Sequence, residues 1–138
     1  MAHNIYDKNI KALIIEDEEV AREKLLMMMN KFADCSFSET GEGGLRSFSE
    51  SLSSGNYFDI VLLDISLPDV NGKMVLKRIH ELEQEQAVPV ENKTKVVMVT
   101  ASSSEEDLFG SIQNRCDDYL LKPVTEEILK DKLKAVGV

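Results

Sequence analysis

Residues 58–65 read FDIVLLDI, and residues 60–63 within them are apolar without a break. Successive side chains of an extended strand point to opposite faces. A strand with one wet face would therefore alternate apolar and polar residues, and this one does not. Both of its faces must be covered, which places it at the centre of a parallel sheet flanked by helices. Pro68 and Asn71-Gly72 then mark a loop. Met74, Val75, Ile79 and Leu82 follow at the spacing of a helix.

The same alternation repeats in both directions. Lys11–Ile15 reads as a short buried strand, and Val20, Ala21, Leu25, Met28, Met29 and Phe32 recur behind it at helical spacing. Cys35–Ser38 is a weaker strand, and Leu45, Phe48 and Leu52 mark a helix closed by Ser53-Ser54-Gly55-Asn56. Beyond the central strand, the segment EQEQAVPVENKT (83–94) has no periodicity and reads as a long helix end with a solvated loop. KVVMVTA (95–101) is another buried strand. A fourth helix starts at Ser102–Glu106 and carries Leu108, Phe109 and Ile112, with Gly110 weakening it. Asp118–Leu121 is a fifth strand, ended by Pro123. Thr125 caps a fifth helix with Ile128, Leu129, Leu133 and Val136 on one face. A strand–helix pair repeated five times predicts an α/β fold: a doubly wound parallel sheet with helices on both faces and right-handed connections.

Composition bounds the function. A chain of 138 residues fits one domain with one core, here about residues 10–137 behind an N-terminal tail of 1–9. The formal net charge of −9 argues against nucleic acid and against an anionic membrane as direct partners. The longest apolar run, Leu25–Met29, is far too short to span a bilayer, and the first residues contain no secretory signal core. Cys35 and Cys116 are isolated and read as two small buried thiols, so a reducing cytoplasm is the expected location. His3 and His80 are the only histidines and read as solvated, which leaves no material for a zinc site or a Ser-His-Asp triad.

Ligands of an open parallel sheet bind outside the carboxyl ends of its strands. The first strand runs into Glu16-Asp17, followed by Glu18 and Glu19; the third ends near Asp64, the fourth at Thr100-Ala101 and the fifth at Lys122-Pro123. Each residue alone is an ordinary cap or a solvated side chain, but together they put three acids, a hydroxyl and an ammonium on one rim. Three neighbouring carboxylates resist joint ionisation unless a cation joins them. Mg²⁺ is the hard, oxygen-seeking ion that suits them and that also binds phosphate. The expectation is that one carboxylate attacks a phosphoryl group. Lys122 reaches a second phosphoryl oxygen, and the Thr100 hydroxyl and Ala101 N–H hold a third. Glu18 and Glu19 belong to the next helix, whose N-terminus favours acids.

IIED (14–17), VLLDISLPDVNG (61–72), VVMVTA (96–101) and DDYLLKP (117–123) together resemble the receiver domain of two-component response regulators, over essentially the whole chain. The resemblance implies the flavodoxin-like strand order 2-1-3-4-5. It implies that Asp64 is the phosphoacceptor, charged by a phosphohistidine on a sensor histidine kinase or a histidine phosphotransfer protein. Asp17 would be the main Mg²⁺ ligand, with Mn²⁺ able to substitute. Glu16 would act nearby or through water, and Asp64 and the Ser66 carbonyl would complete the protein ligands. Lys122 would pair with the phosphoryl group, Thr100 would be the switch hydroxyl and Tyr119 the switch aromatic. The face formed by the fourth helix, fifth strand and fifth helix would then change shape for a downstream protein. Such a chain is a signalling module, not an enzyme acting on external substrates.

Glu16 in place of the frequent Asp, Glu19 in place of a frequent Pro, and Arg115-Cys116 in place of Gly-Ala depart from the usual pattern, but none removes a site residue. The alternatives are a degenerate receiver that binds partners without phosphorylation, a flavodoxin-like small-molecule binder, and a phosphotransferase or phosphatase acting on external substrates. A binder of FMN needs a phosphate cradle after the first strand, where EDEE would repel the ligand. The third needs a second acid close to Asp64 or a cap domain, and Ile65-Ser66 follow instead.

Overall fold

The computed structural model describes residues 10–101 and 116–138. In chain order they form β1 (Lys11–Ile15), α1 (Glu19–Met29), β2 (Asp34–Ser38), α2 (Gly41–Ser54), β3 (Ile60–Asp64), α3 (Gly72–Glu85), a 3₁₀ turn (Val90–Asn92), β4 (Lys95–Thr100), β5 (Asp118–Leu121) and α4 (Glu126–Ala135). The expected tail, 1–9, and the expected helix after Ser102 lie outside the described residues. The five strands form one sheet in the order β2-β1-β3-β4-β5, every adjacent pair parallel. This is the flavodoxin-like order that the resemblance implied.

The unbroken apolar run of residues 60–63 has the cause inferred for it. Val61, Leu63 and Ile65 face one core with Leu13, Ile15, Val96 and Met98, under Phe48 and Leu52 of α2 and Val75, Leu76 and Ile79 of α3. The alternate residues Ile60 and Leu62 face a second core with Ala12, Ile14, Val97, Val99 and Leu120, under Leu25 and Met29 of α1 and Leu129 and Leu133 of α4. Each strand residue is thus committed to one side by parity, and a one-residue slip would swap the two sets.

The helices begin on caps. The side chains of Glu18, Thr40, Asn71 and Thr125 accept from Ala21, Gly43, Lys73 and Ile128 N–H respectively. Gly55 ends α2 in the left-handed conformation, φ 75°.

Three expectations change. Met74, placed on the buried stripe of α3, is 63% exposed, and Val20 and Ile128 are also exposed, because each sits just inside a helix start, at the margin of the apolar stripe. Cys35 and Cys116 are half-buried. Segment 83–94 is less irregular than its composition suggests. Helix α3 runs to Glu85, and the buried Glu83 Oε2 accepts from Thr94 N–H at 2.8 Å, while Thr94 Oγ1 donates to the Phe58 carbonyl at 2.7 Å. The excursion is pinned at both ends. No described helix is long and apolar enough to cross a membrane.

Candidate functional site

The carboxyl ends of β1, β3, β4 and β5 converge as the parallel sheet requires. Glu16, Asp64 and Thr100 are nearly sealed from solvent, at 1%, 5% and 3% exposure, and Asp17 beside them is exposed. Carboxylate oxygens of Glu16, Asp17 and Asp64 all lie within 4.8 Å of one another. Lys122 Nζ sits 2.5 Å from Glu16 Oε1 and 3.7 Å from Asp64 Oδ2. The Lys122 backbone N–H donates to the Thr100 carbonyl at 2.8 Å, which locks the β5 exit to the end of β4.

The charges tune one another. Burial, reinforced by Asp64, holds the Glu16 carboxyl above the usual carboxylate range, and Lys122 only partly offsets this. Burial pulls the Lys122 ammonium down, but the acids Glu16, Asp64 and Glu18 outweigh it, and the net direction is up. The half-buried Lys122 ammonium is thus shared between two carboxylates, with a third at the solvent side.

The loop after β3 is tightly built. Ser66 N–H donates to Asp64 Oδ1 at 3.1 Å, and Ser66 and Asn71 form an antiparallel bridge. Gly72 N–H donates to the Ile65 carbonyl at 2.8 Å. A Cβ on Gly72 would fall 2.3 Å from the Asp64 carbonyl oxygen and 2.7 Å from Ile65 Cα, so only glycine lets α3 start against the strand end. Asp69 reaches across to α2, accepting from Gly41 and Glu42 N–H at 2.9 Å each. These bonds hold its carboxyl below the usual range.

The sequence profile of the response regulator receiver domain matches residues 12–134. This chain belongs to the response regulator receiver domain family. The receiver is 31% identical to the chemotaxis protein CheY-3 of Vibrio cholerae over 96% of this chain and 95% of that protein. It is 32% identical to the transcriptional regulatory protein CiaR of Streptococcus pneumoniae over 92% of this chain, but spans 51% of CiaR. It spans 7% of the hybrid signal transduction histidine kinase L of Dictyostelium discoideum, at 26% identity. Among solved structures, the CheY-like receiver domain protein of Methanospirillum hungatei superposes with a TM-score of 0.75 at 25% identity, covering 91% of this chain and 90% of that one. The receiver domain of the Arabidopsis thaliana histidine kinase CKI1, solved with Mg²⁺ and BeF₃⁻, shares the fold at a TM-score of 0.76 and 19% identity, covering 90% of this chain and 89% of that one.

The receiver's expected site residues are brought together with different degrees of intimacy. Glu16, Asp17, Asp64 and Lys122 form one cluster. Thr100 adjoins it through the Lys122 backbone. Ser66 and Ala101 are exposed on the rim. Tyr119 is half-buried against the α2–α3 side of the core, with Lys132 Nζ 5.2 Å from its ring centroid. Tyr119 pairs with Met98 and Leu121 with Thr100, so parity puts Tyr119 and Thr100 diagonally on one face of the sheet. Ser102 lies outside the described residues.

Arg22, Asp69 and Gly72 are absent from the sequence-derived site although all three shape its loops. Arg22 had left a signal: it stands three and seven residues before Leu25 and Met29, on the buried stripe of α1. Asp69 acts through its reach to Gly41 and Glu42 across the fold, and Gly72 through the close approach of its backbone to Asp64 and Ile65 once the loop after β3 closes; residue identity shows neither.

Proposed function

We propose that Asp64 accepts a phosphoryl group from a phosphohistidine on a sensor histidine kinase or a histidine phosphotransfer protein, at a site that takes Mg²⁺. The observation that carries this is the triad of carboxylates within 4.8 Å of one another with the half-buried Lys122 ammonium paired to two of them. The donor set is all hard oxygen, which suits Mg²⁺ or Mn²⁺. Asp17, Asp64 and the Ser66 carbonyl would hold the ion, with Glu16 directly or through water. The bound cation would neutralise charge on the phosphoryl oxygens.

The chain's own groups do the rest. An Asp64 carboxylate oxygen forms a bond to phosphorus while the P–N bond breaks, and its electron pair stays on the imidazole nitrogen. Lys122, already paired with Glu16 and Asp64, turns its ammonium to the new phosphoryl oxygens. The Thr100 hydroxyl and Ala101 N–H hold another oxygen. Thr100 and Tyr119 share a sheet face, so engagement of Thr100 would draw Tyr119 inward and alter the surface of β5 and α4 for a downstream protein. A cytoplasmic signalling role without chemistry on external substrates fits this reading.

A flavin-type phosphate binder finds no support. The Glu18 carboxylate already occupies the N-terminus of α1, where the phosphate of such a ligand would sit.

Incubation with acetyl phosphate and Mg²⁺ tests the proposal. The expected result is a mass gain of one phosphoryl group, absent in Asp64→Ala and in EDTA. No modification of the wild type, or undiminished modification of Asp64→Ala, would overturn it.

A further inference from the structure

Arg22 is a charged side chain on the buried stripe of α1, 8% exposed. Its Nη1 donates to the carbonyl oxygens of both Glu16 and Asp17, at 3.2 and 3.3 Å. Its Nη2 lies 3.6 Å from Glu39 Oε1, and its guanidinium stacks 5.3 Å from the centroid of Phe37 on β2. The two carbonyls it holds belong to the turn between β1 and α1, ahead of the first helical hydrogen bond, Arg22 N–H to Glu18 O at 2.9 Å.

The turn carries two of the three clustered carboxylates. Glu16 is fixed by its own partners: its N–H donates to the Ser38 carbonyl at 3.1 Å and its carboxylate pairs with Lys122. Asp17 is exposed, and its carbonyl is held by Arg22. A guanidinium donates in a rigid planar fork, whereas an ammonium is a point donor on a flexible stem. Side chains that orient metal ligands typically change metal affinity about 10–100-fold when removed.

We propose that Arg22 is a positioning residue of this site. It acts on the main chain, fixing the Glu16–Asp17 turn so that the exposed Asp17 carboxylate faces Glu16 and Asp64 before a cation arrives. Glu39 and Phe37 hold the guanidinium from behind. This rests on the Mg²⁺ site proposed above.

The test is a calorimetric Mg²⁺ titration of the full chain as wild type, Arg22→Met, Arg22→Lys, Leu25→Ala and Asp17→Asn, with Tm measured in EDTA. Leu25 is buried on the same stripe and touches none of the acids' carbonyls in the hydrogen bonds described, so it reports the cost of merely loosening α1. Arg22→Met should bind Mg²⁺ about tenfold more weakly or worse. Arg22→Lys should fall between it and the wild type, with Tm close to the wild type. Leu25→Ala should lose Tm but keep its Mg²⁺ affinity. Wild-type affinity in a folded Arg22→Met would overturn the role. If Arg22→Met fails to fold, wild-type affinity in Arg22→Lys overturns it. An affinity loss in Leu25→Ala matching that of the arginine variants also overturns it, since the effect would then be stability alone. A wild type that takes no Mg²⁺ would overturn the metal site itself, and the positioning role with it; the arginine variants alone failing to differ would leave the metal site standing.

Discussion

The four consecutive acids at residues 16–19 hold four different posts. Glu16 is buried and paired with Lys122, Asp17 is the exposed member of the carboxylate cluster, Glu18 caps α1 and Glu19 begins it. Asp17→Ala should therefore abolish measurable Mg²⁺ binding in a calorimetric titration, while Glu19→Ala should leave the affinity within about twofold, as expected of a charge held out in solvent. Asp69 gives a prediction in pH. Its folded pKa is lowered by the Gly41 and Glu42 N–H groups, so the stability it contributes is fully present above its unfolded value. That contribution is lost as pH falls below about 4, through the ordinary Asp range and the lower folded value. In thermal melts, Asp69→Ala should lower Tm by a few degrees near neutral pH, on the order expected for a lost helix cap. The gap should close toward pH 2. A gap that is constant with pH would mean that the loss is not electrostatic.

At the scale of elements, the start of α3 is set by a backbone approach. Gly72→Ala would drive a methyl group into the Asp64 carbonyl, and urea unfolding should show a loss of about 2–3 kcal/mol, as for overpacked sites. The Glu83–Thr94 tie predicts a comparable cost at a place remote from the site. Glu83→Ala leaves the buried Thr94 N–H without its acceptor and should cost about 1–3 kcal/mol in the same assay. If the 83–94 segment were a loose solvated loop, that substitution would be nearly neutral. Composition alone made it look like one: EQEQAVPVENKT is polar and aperiodic, and nothing local says that one of its glutamates is sealed from water. The strands, by contrast, were legible because two-sided burial leaves an unbroken apolar run. The helix faces were legible to within their margins, and Met74, Val20 and Ile128 mark where an apolar residue at a helix start stays outside the core.

At the scale of the whole molecule, a parallel doubly wound sheet brings to one edge whatever stands at its strands' carboxyl ends. Glu16, Asp17, Asp64, Thr100 and Lys122 were legible for that reason, since each strand's end could be read and the topology did the gathering. Arg22 was legible only as a charge on the apolar stripe of α1, because the two backbone carbonyls that it holds come within its reach only after α1 folds back on β1. The coupling proposed between Thr100 and Tyr119 also belongs to this scale, resting on a diagonal relation across β4 and β5. Thr100→Ala should keep phosphorylation of Asp64 but remove the dependence of downstream partner binding on it, read by comparing partner affinity with and without acetyl phosphate. The central claim is that the acidic cluster exists to charge one particular carboxylate. The direct measurement is to phosphorylate the chain with acetyl phosphate and Mg²⁺, reduce the acyl phosphate with borohydride, and locate the product by peptide mass spectrometry. A homoserine at position 64 alone is the predicted result. A product at position 17, a phosphate retained on a serine or threonine, or no product at all would contradict the account.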